Sequence, residues 1–410
     1  MKVTVAPDSL KESLTSPRVA QAIARGVRRA VPSAELVLVP MADGGEGTVE
    51  AIVSATGGRL RRATVADPLG RPVRARWGIC GDGATAVIEM AEASGLELLK
   101  LHERSPLLTS TRGTGELIRK ALDGGPRRIL VGLGGSATVD GGTGMAAALG
   151  VRFLDGCGRA IADCRGGRLL DVRDIDVSAR DARLEGVEII AACDVTNPLT
   201  GPAGAARTYA PQKGAAPQQV EELERGLASL ARVIRSRLGV QVGALPGAGA
   251  AGGLGAGLVA FLGARIASGV ETVMEAVHLR ERMAGSDLLI TAEGRLDGQS
   301  AFGKSIAGVA RAAQEQDIPV VALAGSLGPG YESIYDCGVC AVFPIVNRPM
   351  DLRAAMGEAE RLLEGAAESV VRLWRAAGAP SGRGRKNAAR SRAPSERRKR
   401  AHMRGESWHA

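Results

Sequence analysis

The stretch from Gly132 to Gly144 reads GLGGSATVDGGTG and decides the fold class. Before it, Arg127 to Val131 read as a short buried strand, and after it Met145 to Leu149 read as a helix. Glycines between a strand and a helix are typical of phosphate sites in α/β proteins, because the backbone can approach an anion and the free N–H groups of the helix point at it. The stretch predicts an α/β fold with an anion site; a glycine-rich turn without a ligand is the alternative that this stretch alone leaves open.

Asp140, within the same stretch, is unexpected beside an anion. A carboxylate repels a phosphate unless a cation such as Mg²⁺ lies between them. The stretch is therefore interpreted as a metal-assisted polyphosphate site, with Asp140 as a candidate Mg²⁺ ligand.

A dinucleotide site is the main rival interpretation. Gly132 to Ala137 fit a dinucleotide fingerprint, and Asp155 follows about twenty residues later, where a ribose-binding acid is expected. This alternative would make the protein a Rossmann-type NAD(P)-dependent oxidoreductase. Asp140 in the loop and the lack of a suitable His or Tyr partner for hydride transfer argue against it.

Acidic residues follow several predicted strands. The strands are Val3 to Ala6, Leu36 to Val39, Ile189 to Cys193 and Asp287 to Thr291, and the acids are Asp8, Asp43, Asp194, Glu293 and Asp297. Ligands gather at the carboxyl ends of strands in open parallel sheets. Each acid alone would be an ordinary cap or turn residue. Together with Lys11, Lys304 and the glycine loops, they suit phosphoryl transfer, which needs Mg²⁺ ligands, cations and a carboxylate that accepts a hydroxyl proton.

The stretch from Gly298 to Ser305 matches the Walker A pattern letter for letter. A true P-loop leaves its strand directly, whereas Ala292 to Asp297 separate this glycine from the predicted strand. We therefore interpret the match as accidental and retain Lys304 alone as a candidate phosphate contact.

Composition excludes several classes of protein. The 410 residues carry a net charge of +9, but ten basic residues and only Glu396 and Glu406 among the acids lie after residue 379. The rest of the chain is nearly neutral, which gives no electrostatic support for nucleic-acid binding. Scattered cysteines argue against a disulfide scaffold, and Cys337 and Cys340 lack the partners of a zinc site.

Membrane association is not expected. The uncharged stretch from Val242 to Gly263 is rich in glycine and contains Pro246, which favours a turn followed by a buried helix. Pro7 and Asp8 interrupt the first apolar run, so a signal peptide is not expected and the location is predicted to be cytoplasmic.

The order of strands and helices predicts a discontinuous domain. Alternating strands and helices occur at both ends of the chain, while Val73 to Ile79 and Ala84 to Met90 read as a hairpin in a mixed sheet. We expect residues 1–66 and 285–378 to form one α/β domain and residues 67–284 a second, inserted one. Residues 379–410 have the composition of a disordered basic tail.

Seven motifs occur in the order found in the bacterial glycerate kinase family, which the chain resembles from Met1 to Trp374. They are VAPDSLKESLTS, PMADGGEGT, TRGTGE, GLGGSATVDGG, ACDVTNPLTGP, GAGAAGGLG and DLLITAEGRLDGQSAFGK. Small departures are Leu10 and Glu12, where the family has Phe and Gly, Val139 in place of Asn, and Ala292 in place of Gly. The basic tail has no counterpart in the family pattern.

The resemblance implies a flavodoxin-like (Rossmann-like) domain interrupted by a restriction-enzyme-like α/β domain. It also implies ATP-dependent phosphorylation of D-glycerate to 2-phosphoglycerate with Mg²⁺; formation of 3-phosphoglycerate is the alternative. The small-molecule partners are then D-glycerate and ATP, and a homodimer is left open.

The expected site residues follow from these motifs. Amides of Gly134, Gly135 and Ser136 would bind ATP phosphates, with Mg²⁺ near Asp140 or Asp194. Lys11 would bind the glycerate carboxylate or the phosphoryl group, helped by Arg295 or Lys304, and Asp194 would be the base, with Asp43 and Asp297 as competitors. Further candidate contacts to substrate or phosphate are Asp8, Ser9, Arg112 and Glu293.

Overall fold

The computed structural model describes residues 1–301 and 305–378 and shows a mixed α/β protein with two main sheets. The strands are β1 (Lys2–Val5), β2 (Glu35–Leu38), β3 (Arg59–Ala66), β4 (Pro72–Ile79), β5 (Thr85–Glu89), β6 (Arg128–Gly132), β7 (Arg152–Leu154), β8 (Asp174–Asp176), β9 (Glu188–Ala192), β10 (Arg265–Ala267), β11 (Leu288–Leu296), β12 (Val320–Leu327) and β13 (Val339–Pro344). The helices are α1 (Ser16–Ala30), α2 (Thr48–Thr56), α3 (Ala91–Ser94), α4 (Arg112–Leu122), α5 (Thr143–Ala148), α6 (Ala205–Tyr209), α7 (Pro217–Leu238), α8 (Ala250–Leu262), α9 (Gly269–Ala276), α10 (Leu279–Met283), α11 (Ser305–Gln314), α12 (Leu352–Gly357) and α13 (Ala359–Ala376).

The first sheet is parallel and has five strands in the order β13-β12-β11-β1-β2. Its strands come from both ends of the chain. The strand order reverses between β1 and β11, and the crevice at such a switch point is where open α/β sheets bind ligands. Asp8 follows β1 at this crevice, and Glu293 lies in the last part of β11.

The second sheet is mixed and has the order β10-β9-β6-β5-β4-β3. Strands β5, β6, β9 and β10 are parallel, and β3, β4 and β5 are antiparallel neighbours. The predicted hairpin is β4 and β5. Strand β3 pairs with β4, so the chain passes from the first sheet to the second before Arg59. The predicted division at residue 66 placed this strand in the first domain.

Helices between the two sheets give them a common core. Val87 and Ile190 of the second sheet belong to one apolar cluster with Leu289 and Val320 of the first, and helices α2, α9, α10 and α11 lie in this layer. Helices α1 and α13 cover the outer face of the first sheet. Helices α4, α5, α7 and α8 cover the outer face of the second. This layering fixes the ends of the strands of both sheets relative to each other.

Strand β11 is longer than the sequence analysis predicted. It was expected to end at Thr291, but Arg295 and Leu296 still pair with Ser326 and Leu327 of β12. Continued pairing with its neighbour extends the strand through its polar part. The residues that were predicted to separate the strand from Gly298 therefore belong to β11 as far as Leu296. Phe302, Gly303 and Lys304 of the Walker A match lie outside the described residues.

The part of the chain that the structure describes contains no helix with the length and apolar character needed to cross a bilayer. The uncharged stretch that raised this question forms a turn and α8. Ala251, Gly252 and Gly253 have left-handed backbone angles near the beginning of that helix.

Candidate active site

Two loops from different sheets meet at the candidate site. We call residues 41–47, which follow β2, the acid loop, and residues 132–144, which follow β6, the glycine loop. A Cβ atom on Gly132 would lie 2.4 Å from the carbonyl oxygen of Gly44, and one on Gly134 would lie 2.6 Å from the Cα of Gly45. Only glycine allows backbones to approach this closely. The acid loop, which carries Asp43, and the amides of the glycine loop are thereby brought close together.

Asp194 follows β9 and borders the acid loop. Its Oδ1 accepts hydrogen bonds from Ser268 Oγ at 2.8 Å and from the N–H of Gly269 at 2.9 Å. A Cβ on Gly269 would be 2.8 Å from Asp194 Oδ2 and 2.1 Å from the carbonyl oxygen of Asp43. Partial burial raises the pKa of Asp194, and the charge of Asp43 raises it further. Oδ1 of Asp194 is therefore held by two hydrogen bonds, and a second acid, Asp43, lies close to Asp194.

Asp8 follows β1 at the switch point of the first sheet, where the charge of Asp43 also acts on it. It accepts hydrogen bonds from the N–H of Ser9 and from Ser305 Oγ, both at 2.6 Å. Burial raises the pKa of Asp8 to about 6, and the charge of Asp43 contributes to the increase. Asp8, Asp43 and Asp194 therefore form a row of acids in which Asp43 interacts electrostatically with both others.

Lys11 and the end of β11 lie beside Asp8. The positive charge of Lys11 lowers the pKa of Asp8, which opposes the larger effects that raise it. A Cβ on Gly294 would lie 3.4 Å from the backbone nitrogen of Lys11, so the turn that carries this lysine packs against β11. Arg295 is paired with Asp297 at 3.3 Å. The arginine thus forms an ion pair at the end of the strand, where Asp297 also caps a turn by accepting from the N–H of Gln299.

Three backbone amides of the glycine loop have no acceptor within the part of the chain that the structure describes. The backbone N–H groups of Gly134, Gly135 and Ser136 donate to no acceptor among residues 1–301 and 305–378, whereas the neighbouring N–H of Ala137 donates to the Ser94 carbonyl. Gly135 is exposed and has a φ of +72°. Backbone donors left without a protein partner need water or a ligand. These three amides are the groups that the sequence predicted to bind phosphate.

Asp140 stabilises the glycine loop from within. Its carboxylate is fully buried and accepts hydrogen bonds from the N–H and Oγ1 of Thr111 and from the N–H groups of Gly142 and Gly144. Burial raises the pKa of Asp140 despite these donors. The predicted role of Asp140 as a Mg²⁺ ligand finds no support in this geometry, because loop donors already surround the carboxylate.

The remaining predicted residues differ in how they relate to this site. Arg112 begins α4 with its guanidinium paired to Glu116 at 3.1 Å, and its backbone lies beside Gly144 of the glycine loop. Glu293 lies half-buried in β11. Lys304 lies outside the described residues.

Sequence reasoning missed two buried charged residues at this site. Lys213 lies under the glycine loop, where its Nζ donates to the Thr138 carbonyl at 2.7 Å and to Ser136 Oγ at 3.1 Å. Burial lowers the pKa of Lys213 to about 7, against the opposing charge of Asp140. Glu89 ends β5 beside Gly132. Its position after a buried strand was a usable signal, whereas Lys213 lies in a turn whose partners are distant in sequence.

A cation at this site would need ligands beyond the side chains. Across the described ranges, no three His, Cys, Asp or Glu side chains are grouped so that they could hold a metal ion. Mg²⁺ commonly keeps several waters and is bound by one or two carboxylates together with phosphate oxygens. The row of acids fits that mode of binding.

Comparison with known proteins identifies the family. The model of the glycerate kinase family matches residues 3–375. The chain is 50% identical to a glycerate kinase of Halalkalibacterium halodurans, over 91% of this chain and 98% of the relative. It is 48% identical to the glycerate 2-kinase of Escherichia coli, over 95% of this chain and 100% of the relative.

A solved structure gives the same result. A crystal structure from Salmonella typhimurium LT2 that carries a glycerate kinase 2 designation has a TM-score of 0.84 and is 46% identical, covering 92% of this chain and 99% of that chain. The matches to kinases decide against the oxidoreductase alternative. The chain belongs to the glycerate kinase family, a family of kinase enzymes.

Proposed function

We propose that this kinase transfers the γ-phosphoryl group of ATP to the 2-hydroxyl of D-glycerate and forms 2-phosphoglycerate and ADP. The observation that carries this proposal is the close approach of the glycine loop, whose three amides have no acceptor among the described residues, to the loop that carries Asp43 of the row of acids. The name of the Escherichia coli relative supports the 2-position. The strand order of the first sheet supports a flavodoxin-like domain, and the mixed second sheet supports an inserted one.

The amides of Gly134, Gly135 and Ser136 would bind the phosphates of ATP. Backbone N–H groups hold phosphate oxygens without any change of side-chain conformation, which makes them suitable for stabilising charge during transfer. Lys11 would neutralise the glycerate carboxylate or the transferring group. These contacts would align the hydroxyl with the γ-phosphorus, which is most of what phosphoryl transfer requires.

Asp194 would accept the proton of the attacking hydroxyl. The hydroxyl oxygen forms a bond to the γ-phosphorus, the bond from that phosphorus to the β–γ bridging oxygen breaks, and the proton passes to Oδ2. Ser268 and Gly269 hold the other oxygen of this carboxylate, so Oδ2 has a defined direction. The raised pKa makes Asp194 a stronger base than an ordinary aspartate.

Asp8 and Asp43 would hold Mg²⁺ together with water and phosphate oxygens. Burial raises the pKa of Asp8 and the charge of Asp43 adds to the increase; a divalent cation between these acids would relieve that repulsion. When bound, Mg²⁺ would neutralise negative charge on the phosphates of ATP.

Replacement of Asp194 tests the proposal. We expect Asp194→Asn to lower kcat by about 10² to 10⁴-fold with little change in either KM, because general-base catalysis supplies a factor of that size. Asp155→Asn, at a half-buried turn carboxylate outside the site, is the matched control and should behave as wild type. ³¹P NMR of the wild-type product identifies the phosphate position. A variant with wild-type kcat would remove Asp194 from this role, and 3-phosphoglycerate as the product would overturn the regiochemistry.

A further inference from the structure

Glu89 links the two sheets through a buried carboxylate. It is the last residue of β5, and only 4% of it is exposed. Its Oε1 accepts a hydrogen bond from the N–H of Val49 at 2.6 Å, and its Oε2 accepts one from the N–H of Gly47 at 3.1 Å. Both donors belong to the start of α2, where backbone N–H groups have no partner within the helix. A side chain of the second sheet thus caps a helix that follows the first sheet.

Glu89 is also joined to the glycine loop. It pairs with Gly132 in the register of β5 and β6, and the N–H of the next residue, Met90, donates to the Gly132 carbonyl at 3.0 Å. Its carboxylate therefore holds the end of the acid loop while its own strand holds the beginning of the glycine loop. The close contact of Gly44 with Gly132 lies between these two attachments.

We propose that Glu89 is a positioning residue for phosphoryl transfer, and that its carboxylate holds the acid loop with Asp43 against the glycine loop. This inference rests on the proposed function, in which Asp43 and the amides of Gly134 and Gly135 act on the same ATP molecule. Small displacements of groups that orient a substrate are costly, because transfer depends on the alignment of the reacting atoms.

Two charged side chains of the described residues act on Glu89, and a third lies beside one of them. Glu92 of α3 faces it with like charge, and Arg76 of β4 faces it with opposite charge. Oε2 of Glu50 in α2 lies 4.0 Å from Nη1 of Arg76, so the Arg76 guanidinium interacts with Glu50 as well as with Glu89. Burial raises the pKa of Glu89 to about 7, and Glu92 adds to the increase, whereas the amides of Val49 and Gly47 and the charge of Arg76 oppose it. The ionised carboxylate, which accepts at both oxygens, is thus lost as the pH falls through about 7.

Glu89→Gln tests the positioning role because glutamine retains the shape but has only one accepting oxygen. We expect kcat at pH 8 to fall about tenfold or more with both KM values changed less than twofold. The ratio of wild-type to variant kcat should shrink as the pH falls from 8 to 6, because the wild-type carboxylate is then protonated. A purely structural role would leave this ratio constant.

Asp82→Asn is the matched control, in the turn that precedes the opposite end of β5. Asp82 accepts from the N–H groups of Ala84 and Thr85, both at 2.9 Å, and lies far from the acid loop along β5. We expect wild-type kcat and pH dependence. Thermal unfolding of all three proteins establishes that each is folded at the assay temperature.

The outcomes separate the two proposals. If the wild type forms no phosphoglycerate, the proposed function fails, whatever the variants do. If the wild type is active and Glu89→Gln matches Asp82→Asn in kcat and pH profile, the positioning role of Glu89 is overturned and the kinase assignment is untouched.

Discussion

Glu12 has a backbone conformation that suits glycine. Its φ is +62°, in the turn that carries Lys11, and the family resemblance places a glycine at this position. A left-handed conformation costs an L-residue about 1–2 kcal/mol, because Cβ approaches the following carbonyl oxygen. The turn is nevertheless formed, because Leu10 and Leu14 are bridged by backbone hydrogen bonds and are both buried.

We expect Glu12→Gly to raise the free energy of unfolding by up to about 1 kcal/mol, since relief of the strain exceeds the added entropy of glycine in the unfolded chain. Thermal or denaturant unfolding measures the change. Glu185→Gly is the control, because Glu185 is an exposed glutamate with an ordinary φ of −66° and its replacement should lower stability. Equal losses in both variants would contradict the strain at Glu12.

Contact between loops is the main feature at the scale of elements. Gly132 is buried, and the obstacle to a side chain there is the backbone of Gly44 rather than a mobile side chain. A methyl group must therefore separate the acid loop from the glycine loop, since a Cβ at 2.4 Å from an oxygen cannot be accommodated.

Gly132→Ala should lower kcat/KM for ATP by tenfold or more, because the amides that bind phosphate and the acids that hold the cation no longer align. Steady-state kinetics measures this loss. In Gly156→Ala, the new Cβ meets no atom closer than 3.8 Å, so this variant should retain wild-type kinetics. Wild-type kinetics in Gly132→Ala would show that the two loops do not act as a unit.

The position of an acid after a strand is the signal that selected most of the candidate acids. Asp8, Asp43 and Asp194 were selected for that reason, and in the structure the charge of Asp43 acts on each of the other two. Glu89 obeys the same rule but was included in a predicted hairpin, and its link to α2 depends on how the second sheet packs against that helix. Lys213 could not be identified as a site residue from the sequence, because its partner Thr138 lies 75 residues away along the chain. Asp140 was predicted as a Mg²⁺ ligand from its position in the glycine loop, but that position does not reveal the loop donors that surround its carboxylate.

At the scale of the whole molecule, one buried lysine makes stability depend on pH. Lys213 is 2% exposed, and its folded-state pKa of about 7 lies below the 10.5 of an ordinary lysine. Between these values the unfolded chain binds more protons than the folded protein, so stability from this residue increases as the pH rises above about 7. The slope cannot exceed about 1.4 kcal/mol per pH unit for one group.

We expect Lys213→Met to be less stable than wild type at every pH, because Ser136 Oγ and the Thr138 carbonyl lose their buried donor. The difference in the free energy of unfolding between wild type and variant should grow from pH 7 to pH 9, since only the wild type gains from deprotonation of this lysine. Denaturant unfolding from pH 7 to pH 9 measures the difference. In this range the buried thiols of Cys80 and Cys164 do not titrate in the folded state, because burial raises their pKa values to about 11 and about 12. Lys120→Met, at an exposed lysine that pairs with Asp123, should show no such growth. A difference that stays constant for Lys213→Met would mean that the buried amine is charged throughout this range and that the glycine loop is held by an ammonium ion.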